Sequence, residues 1–197
     1  MTNVASLRYE PTPVGSLPVI ETERLLLRVP VQADFDGGWA AAHGDEAFGR
    51  HLGGPMPQSV AWRFMATVIG MWQLRGYGMF SVVEKESGRW IGRVGPWVPQ
   101  HWPEREVGWA LAPSAWGKGY ATEAARACMD FAFDTLGWPS AAHMIHPDNT
   151  GSQAVARRLG SRILRHETLP PPLDVRGPIE IWGQSADEWR SGAAQRG

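Results

Sequence analysis

One stretch limits what this chain can fold into more than any other: Trp116-Gly117-Lys118-Gly119-Tyr120-Ala121-Thr122-Glu123-Ala124. It is entered from an extended apolar run, Glu106-Val107-Gly108-Trp109-Ala110-Leu111, by way of Ala112-Pro113-Ser114. It leaves into a long amphipathic stretch, Ala121 to Leu136. That order predicts strand, glycine turn, helix. Glycines at alternate positions let a backbone curl without Cβ clashes and turn successive N–H groups into one concavity. The positive end of the following helix reinforces it, and a phosphate is the usual occupant. Lys118 can add charge from its flexible stem. The plain alternative is a turn that only joins a strand to a helix.

Two common phosphate loops are excluded by the residues themselves. A P-loop needs a hydroxyl after its lysine to hold magnesium, and Lys118 is followed by Gly119. A dinucleotide fingerprint needs a third glycine or alanine where Thr122 stands. What remains, Trp116-x-x-Gly119-x-Ala121, resembles the acyl-CoA loop of the GNAT superfamily of N-acetyltransferases, Gln/Arg-x-x-Gly-x-Gly/Ala, with Trp116 departing from its first position. The whole stretch is close to the form in the RimJ/RimL-like branch, which acetylates ribosomal-protein N-termini. Glu21-Thr22-Glu23-Arg24-Leu25-Leu26-Leu27-Arg28 resembles the opening of the same branch. Asn149-x-x-Ser152, 30 residues after Gly119, resembles the family's Asn-x-x-Ser/Ala.

The resemblance implies an α+β fold: a mixed, mostly antiparallel central sheet flanked by helices, in a single domain. It implies acetyl-CoA as acyl donor and a primary amine as acceptor, whether a protein or peptide N-terminus or a small amine; a non-catalytic acyl-CoA-binding module and a transferase using another acyl-CoA, such as succinyl-CoA, are the alternative readings. Trp116, Gly117, Lys118, Gly119, Tyr120, Ala121 and Thr122 would hold the pyrophosphate end. Main-chain groups of Ala110 and Leu111 would pair with the pantetheine arm, and Asn149 and Ser152 would meet it with their side chains. A capping role for Asn149 and Ser152 at a helix start is the local reading, and the two are compatible.

The rest of the chain is read in order. Residues 1–19, with Pro11, Pro13 and Pro18, are expected as a tail or surface arm. The domain is expected over 20–184, and a frayed tail anchored by Trp189 over 185–197. Thr22–Arg28, Met79–Glu84, Arg89–Val94, Glu106–Leu111, Ala141–His146, Arg162–His166 and Ile179–Trp182 read as strands. Asp34 is placed as the cap of a short helix to His43, and Ser59 as the start of a longer one stopped by Gly76. By resemblance this helix pair lines the acceptor side, which makes His51, Trp62 and Arg63 either substrate contacts or structural residues. The loop holding Pro170, Pro171 and Pro172 is read as a wall of the acceptor pocket or a homodimer contact.

Acetyl transfer to an amine needs a base, an oxyanion donor and help for the leaving thiolate. Glu106, in a Glu-x-Gly-Trp pattern like the family's Glu-Ile-Gly-Tyr, is the candidate base; the competing reading is a solvated strand end. Glu104 and His146 stand in reserve. The tyrosine many family members use as acid, seven residues after the asparagine, is Ala156 here, so Ser152 becomes the partner of the leaving sulfur. A second departure is Ser161, where an aromatic usually follows Gly160. A net charge of −1 gives no basic surface for nucleic acid. No apolar run approaches the roughly 18–20 residues that span a bilayer. No signal peptide is read at the N-terminus. The single cysteine, Cys128, sits on the apolar stripe of its helix and is read as an inert core thiol in a cytoplasmic protein. No His/Cys cluster has metal-ligand spacing.

Overall fold

The computed structural model describes residues 17–168 and 177–194. Most of the expected N-terminal arm and the whole Pro170–Pro172 loop lie outside these residues.

Eight strands form one sheet in the order β1-β2-β3-β4-β5-β6-β8-β7. They are β1 (Ile20–Glu21), β2 (Leu25–Arg28), β3 (Phe80–Glu84), β4 (Trp90–Trp97), β5 (Glu106–Leu111), β6 (Ser140–Ile145), β7 (Arg162–Thr168) and β8 (Pro178–Ser185). Every neighbouring pair is antiparallel except β5 and β6. Side chains of β5 alternate between two cores, as a strand covered on both faces requires. Val107 and Leu111 join a core with Leu25, Phe80 and the helix α5 (Tyr120–Asp130). Ala110 joins a second core with Trp39, Met65 and Trp90, beneath α2 (Ala40–His43) and α4 (Gln58–Arg75).

The helices end where local chemistry ends them. In α4, Gly76 takes a left-handed φ of 73°, and its N–H caps the Trp72 carbonyl. In α5, Ala124, Ala125, Cys128 and Met129 are all fully buried, so the apolar stripe seen in the sequence is the core face. After a π-turn at Phe131–Thr135 the chain leaves through Gly137, at φ 65°.

Three expectations need correction. Asp34 does not cap a helix that it begins; it lies at the end of α1 (Gln32–Asp34). Its buried carboxylate accepts from Val31 N–H, from both terminal nitrogens of Arg28 and from Ser81 Oγ. Ionic and hydrogen-bonding demand there outweighs the local N-cap preference. Second, β4 runs on to Trp97, because β5 pairs with it along its length to Glu106. Third, residues 186–194 are a helix, α7 (Ala186–Ala194), rather than a frayed tail. Trp189 is 3% exposed, and its indole donates to Asp130 Oδ1 at 2.8 Å, docking the helix on α5. Short α3 (Glu46–Gly49) and α6 (Thr150–Leu159) complete the described elements used below.

Candidate active site

Parallel β5 and β6 share one bridge, Glu106 opposite Ala142, with Ala142 N–H donating to Arg105 O at 2.9 Å. Beyond it they separate. His143 makes the break: its Nδ1 lies 2.7 Å from the Val107 carbonyl, the group that the next parallel rung would use. A carbonyl only accepts, so Nδ1 carries the proton, and Nε2 accepts from Ser161 Oγ at 3.1 Å. Ser161 in turn accepts from Gln184 Nε2 at 2.9 Å, which also donates to Leu159 O. Burial pushes His143 down to about 4, which keeps the imidazole neutral in this role. Neither His143 nor this use of Ser161 was singled out in the sequence.

The other edge of β5 decides which main-chain groups face the gap. Ala112 N–H donates to Ile91 O, and the regular register pairs Leu111 with Gly92 and Ala110 with Arg93. By antiparallel alternation, the even-numbered residues of β5 spend their groups on β4, and Val107, Trp109 and Leu111 turn theirs to β6. Ala110 was expected to offer main-chain groups to a ligand; the ladder commits them to Arg93. Trp109 presents both its N–H and its C=O to the opened edge. Leu111 keeps its N–H there, while its carbonyl accepts from Trp116 Nε1 at 2.7 Å.

The split leads into a groove of about 1350 Å³ that runs from the strand edge over the glycine turn. Every cofactor residue read from the sequence lines it except Lys118. Gly117 and Gly119 take φ of 75° and 81°, a region costly to residues with a Cβ, so the turn needs both glycines. The opening Thr22-Glu23-Arg24 segment grips the turn from outside. Arg24 Nη1 donates to Lys118 O at 2.9 Å, and Arg24 Nε and N–H both reach the Glu123 carboxylate. Thr22 Oγ1 donates to Glu123 Oε1 at 2.6 Å. Burial opposes ionisation of Glu123, but these bonds from Thr22 and Arg24 prevail and hold its pKa below the ordinary carboxylate value. Tyr120 donates to Glu84 Oε1 at 2.6 Å, with Arg24 lying over its ring. Lys118 points to that ring, its Nζ 5.9 Å from the centroid. At the far side Asn149 caps α6 by accepting from Ser152 N–H at 3.0 Å, and Trp109 Nε1 donates to Ser152 Oγ at 3.2 Å.

The split edge, left-handed glycine turn and capped α6 fit an extended ligand with an anionic end. Comparison with known proteins decides the family: residues 24–162 match the family model for the acetyltransferase (GNAT) domain. The chain belongs to the GNAT acetyltransferase family. It is an acyltransferase of the acyl-CoA-using kind. An acetyltransferase from Agrobacterium tumefaciens is 32% identical, with a TM-score of 0.74 over 86% of this chain and 95% of its own. The Bacillus subtilis protein YkkB is 37% identical over 91 residues, 44% of this chain and 52% of its own length. RimL, a ribosomal L7/L12 α-N-protein acetyltransferase solved with coenzyme A, is 16% identical with a TM-score of 0.69 over 87% of this chain and 99% of its own. That last likeness is one of fold.

Glu106 does not line the groove. It is 8% exposed and accepts from Trp102 Nε1 at 2.8 Å. Its Oε1 leans back over Gly108, 3.2 Å from where a Cβ there would sit. It therefore belongs to the face of the sheet under α4, near Trp97 and Trp102, and is no solvated strand end. Glu104 is paired with Arg165 at 2.6 Å. His51 lines the groove and stacks on His146 at 5.4 Å between centroids. Burial, then the neighbouring His146 and Arg50, lower the His51 pKa. Trp62 and Arg63 lie on the exposed side of α4, away from the groove. Among the described residues, no helix is long and apolar enough to cross a membrane.

Proposed function

We propose that this enzyme is an acetyl-CoA-dependent N-acetyltransferase that acts on a primary amine. The amine is a protein or peptide N-terminus, as in the RimJ/RimL-like branch, or a small molecule. The observation that supports this best is the parting of β5 and β6 beyond the Glu106–Ala142 bridge, with Trp109, Leu111 and the left-handed Gly117–Gly119 turn lining one groove. The turn's N–H groups and the start of α5 bind the pyrophosphate end. The Trp109 edge pairs with the amide-bearing arm, and N–H groups on that edge are the donors available to a developing oxyanion. Ser152 hydrogen-bonds the leaving sulfur. Glu106 takes the amine's proton through water, since its carboxylate does not line the groove. The buried lone thiol, Cys128, suits a cytoplasmic setting.

Thermal unfolding with and without saturating acetyl-CoA tests the cofactor assignment. At about 100 times the dissociation constant, binding adds roughly 2.7 kcal/mol. For a chain of this size that raises Tm by about 5–10 °C. Gly119→Trp should abolish the shift while leaving the protein folded. Glu106→Gln should keep the shift and lose turnover across an amine and peptide panel. Unchanged turnover in Glu106→Gln would remove the base assignment, and no shift in the wild type would remove the acetyl-CoA reading.

A further inference from the structure

We infer that Trp109 is a positioning residue for the chemical step: its indole N–H holds the Ser152 hydroxyl so that the serine proton points at the departing sulfur. This rests on the reading that Ser152 assists the thiolate.

The direction of one hydrogen bond carries the argument. Trp109 Nε1 lies 3.2 Å from Ser152 Oγ, and an indole nitrogen can only donate. Ser152 Oγ is therefore the acceptor, and its own O–H stays free to donate elsewhere. A serine within a helix can turn that proton back to a carbonyl one turn earlier. Among the described residues Ser152 has no such bond; its N–H goes to Asn149 Oδ1, which fixes its backbone. With the backbone pinned by Asn149 and a lone pair pinned by Trp109, the rotor's remaining freedom faces the groove that both side chains line.

The indole is itself held. Its ring lies 4.7 Å from that of His143, and it packs on a small cluster of Ile145, Ala156 and Trp182. Ala156 is fully buried there. A tyrosine at that position would fill the space the indoles occupy, so the small residue and the large Trp109 belong together. The same residue offers its main-chain N–H and C=O to the opened strand edge, so ligand pairing and serine orientation are coupled through Trp109. The indole passes no proton; it accepts none and gives none up. Ser152 hydrogen-bonds sulfur as the C–S bond breaks and the C–N bond of the amide stands in its place; the thiolate takes its proton from solvent, and the proton lost by the attacking nitrogen goes through water to Glu106.

Coenzyme A itself is the probe, which avoids any need for the acceptor. The thiolate absorbs near 240 nm, so a pH titration of the protein–coenzyme A complex, blanked against the desulfo-coenzyme A complex, reports the pKa of the bound thiol. Cys128 stays out of the window, since burial pushes its thiol well up. Ser152→Ala should raise the bound thiol's pKa by about one unit, the size of one hydrogen bond to a charged group. Trp109→Phe should give at least half that rise with coenzyme A affinity changed less than about threefold. The double variant should titrate like Ser152→Ala alone. Should Trp109→Phe fold poorly, replacing Trp109 by benzothienylalanine removes only the N–H and should reproduce the rise. A rise in Ser152→Ala with none in either Trp109 variant overturns the role given to Trp109. No rise in Ser152→Ala overturns the serine reading and this inference with it, and failure to bind coenzyme A overturns both from the cofactor side.

Discussion

Two buried histidines make stability depend on pH in a window where carboxylates are silent. His43 and His143 are 2% and 1% exposed, and burial first of all pushes each down to about 4 from 6.5. Both use the same device. Nδ1–H donates to a carbonyl, of Trp39 for His43 and of Val107 for His143, and Nε2 accepts, from Arg93 Nε at 3.4 Å and from Ser161. A second proton on His43 would meet the Arg93 guanidinium, and on His143 it would put a charge on a ring fully buried in the fold. Above pH 6.5 each ring is neutral in both folded and unfolded chains, so neither contributes a slope. As pH falls through 6.5 the unfolded chain takes up protons that the folded one refuses, and stability falls until about pH 4. At about 1.36 kcal/mol per pKa unit, each histidine costs roughly 2 kcal/mol by pH 5, or about 4 kcal/mol for the pair. That is a large share of the roughly 5–15 kcal/mol a domain possesses. Urea unfolding at pH 8, 6 and 5 measures it directly. His143→Asn keeps a donor for the Val107 carbonyl and should lose about half of the decline. A wild-type stability flat between pH 8 and 5, or a variant with the full decline, would refute the neutral-imidazole account of the strand break.

Arg24→Ala should weaken coenzyme A binding about five- to tenfold by calorimetry, because it frees the Lys118 carbonyl and one side of Glu123. The half-exposed ion pair itself should contribute under about 1 kcal/mol to unfolding, so a large stability loss with unchanged affinity would contradict the clamp. Trp189→Ala should cost about 3–5 kcal/mol in urea unfolding, as for other buried aromatics, by undocking α7 from Asp130. Cys128 should resist a thiol reagent in the native protein and react fully in urea; fast native labelling would place it outside the core.

The site was legible where function is written in local backbone chemistry. Gly117 and Gly119 foretell a left-handed turn, Asn149 a helix cap, and the Ala124–Cys128 stripe a buried helix face, because each follows from neighbours a few residues away. The glycine loop and Asn149-x-x-Ser152 were also enough to point to the family. What the sequence left open depends on contacts across long separations. Glu106 heads a strand in either reading, but only the Trp102 indole donating to its carboxylate and Met79 beside it over Gly108 show the side chain turned to the α4 face. The expectation for Ala110 missed by one residue, since strand alternation is fixed by the β4 partner and not by β5 alone. Trp189 looked like a tail anchor because its acceptor, Asp130, lies 59 residues earlier. His143 gave no signal at all: a histidine in a short strand becomes the wedge between β5 and β6 only when β5 brings the Val107 carbonyl to it. The sequence by itself determined the turn, the helix faces and the kind of ligand they suit. Tertiary structure alone decided where the sheet opens and which main-chain groups face the opening, because hydrogen-bond partners across a sheet are set by register and not by composition.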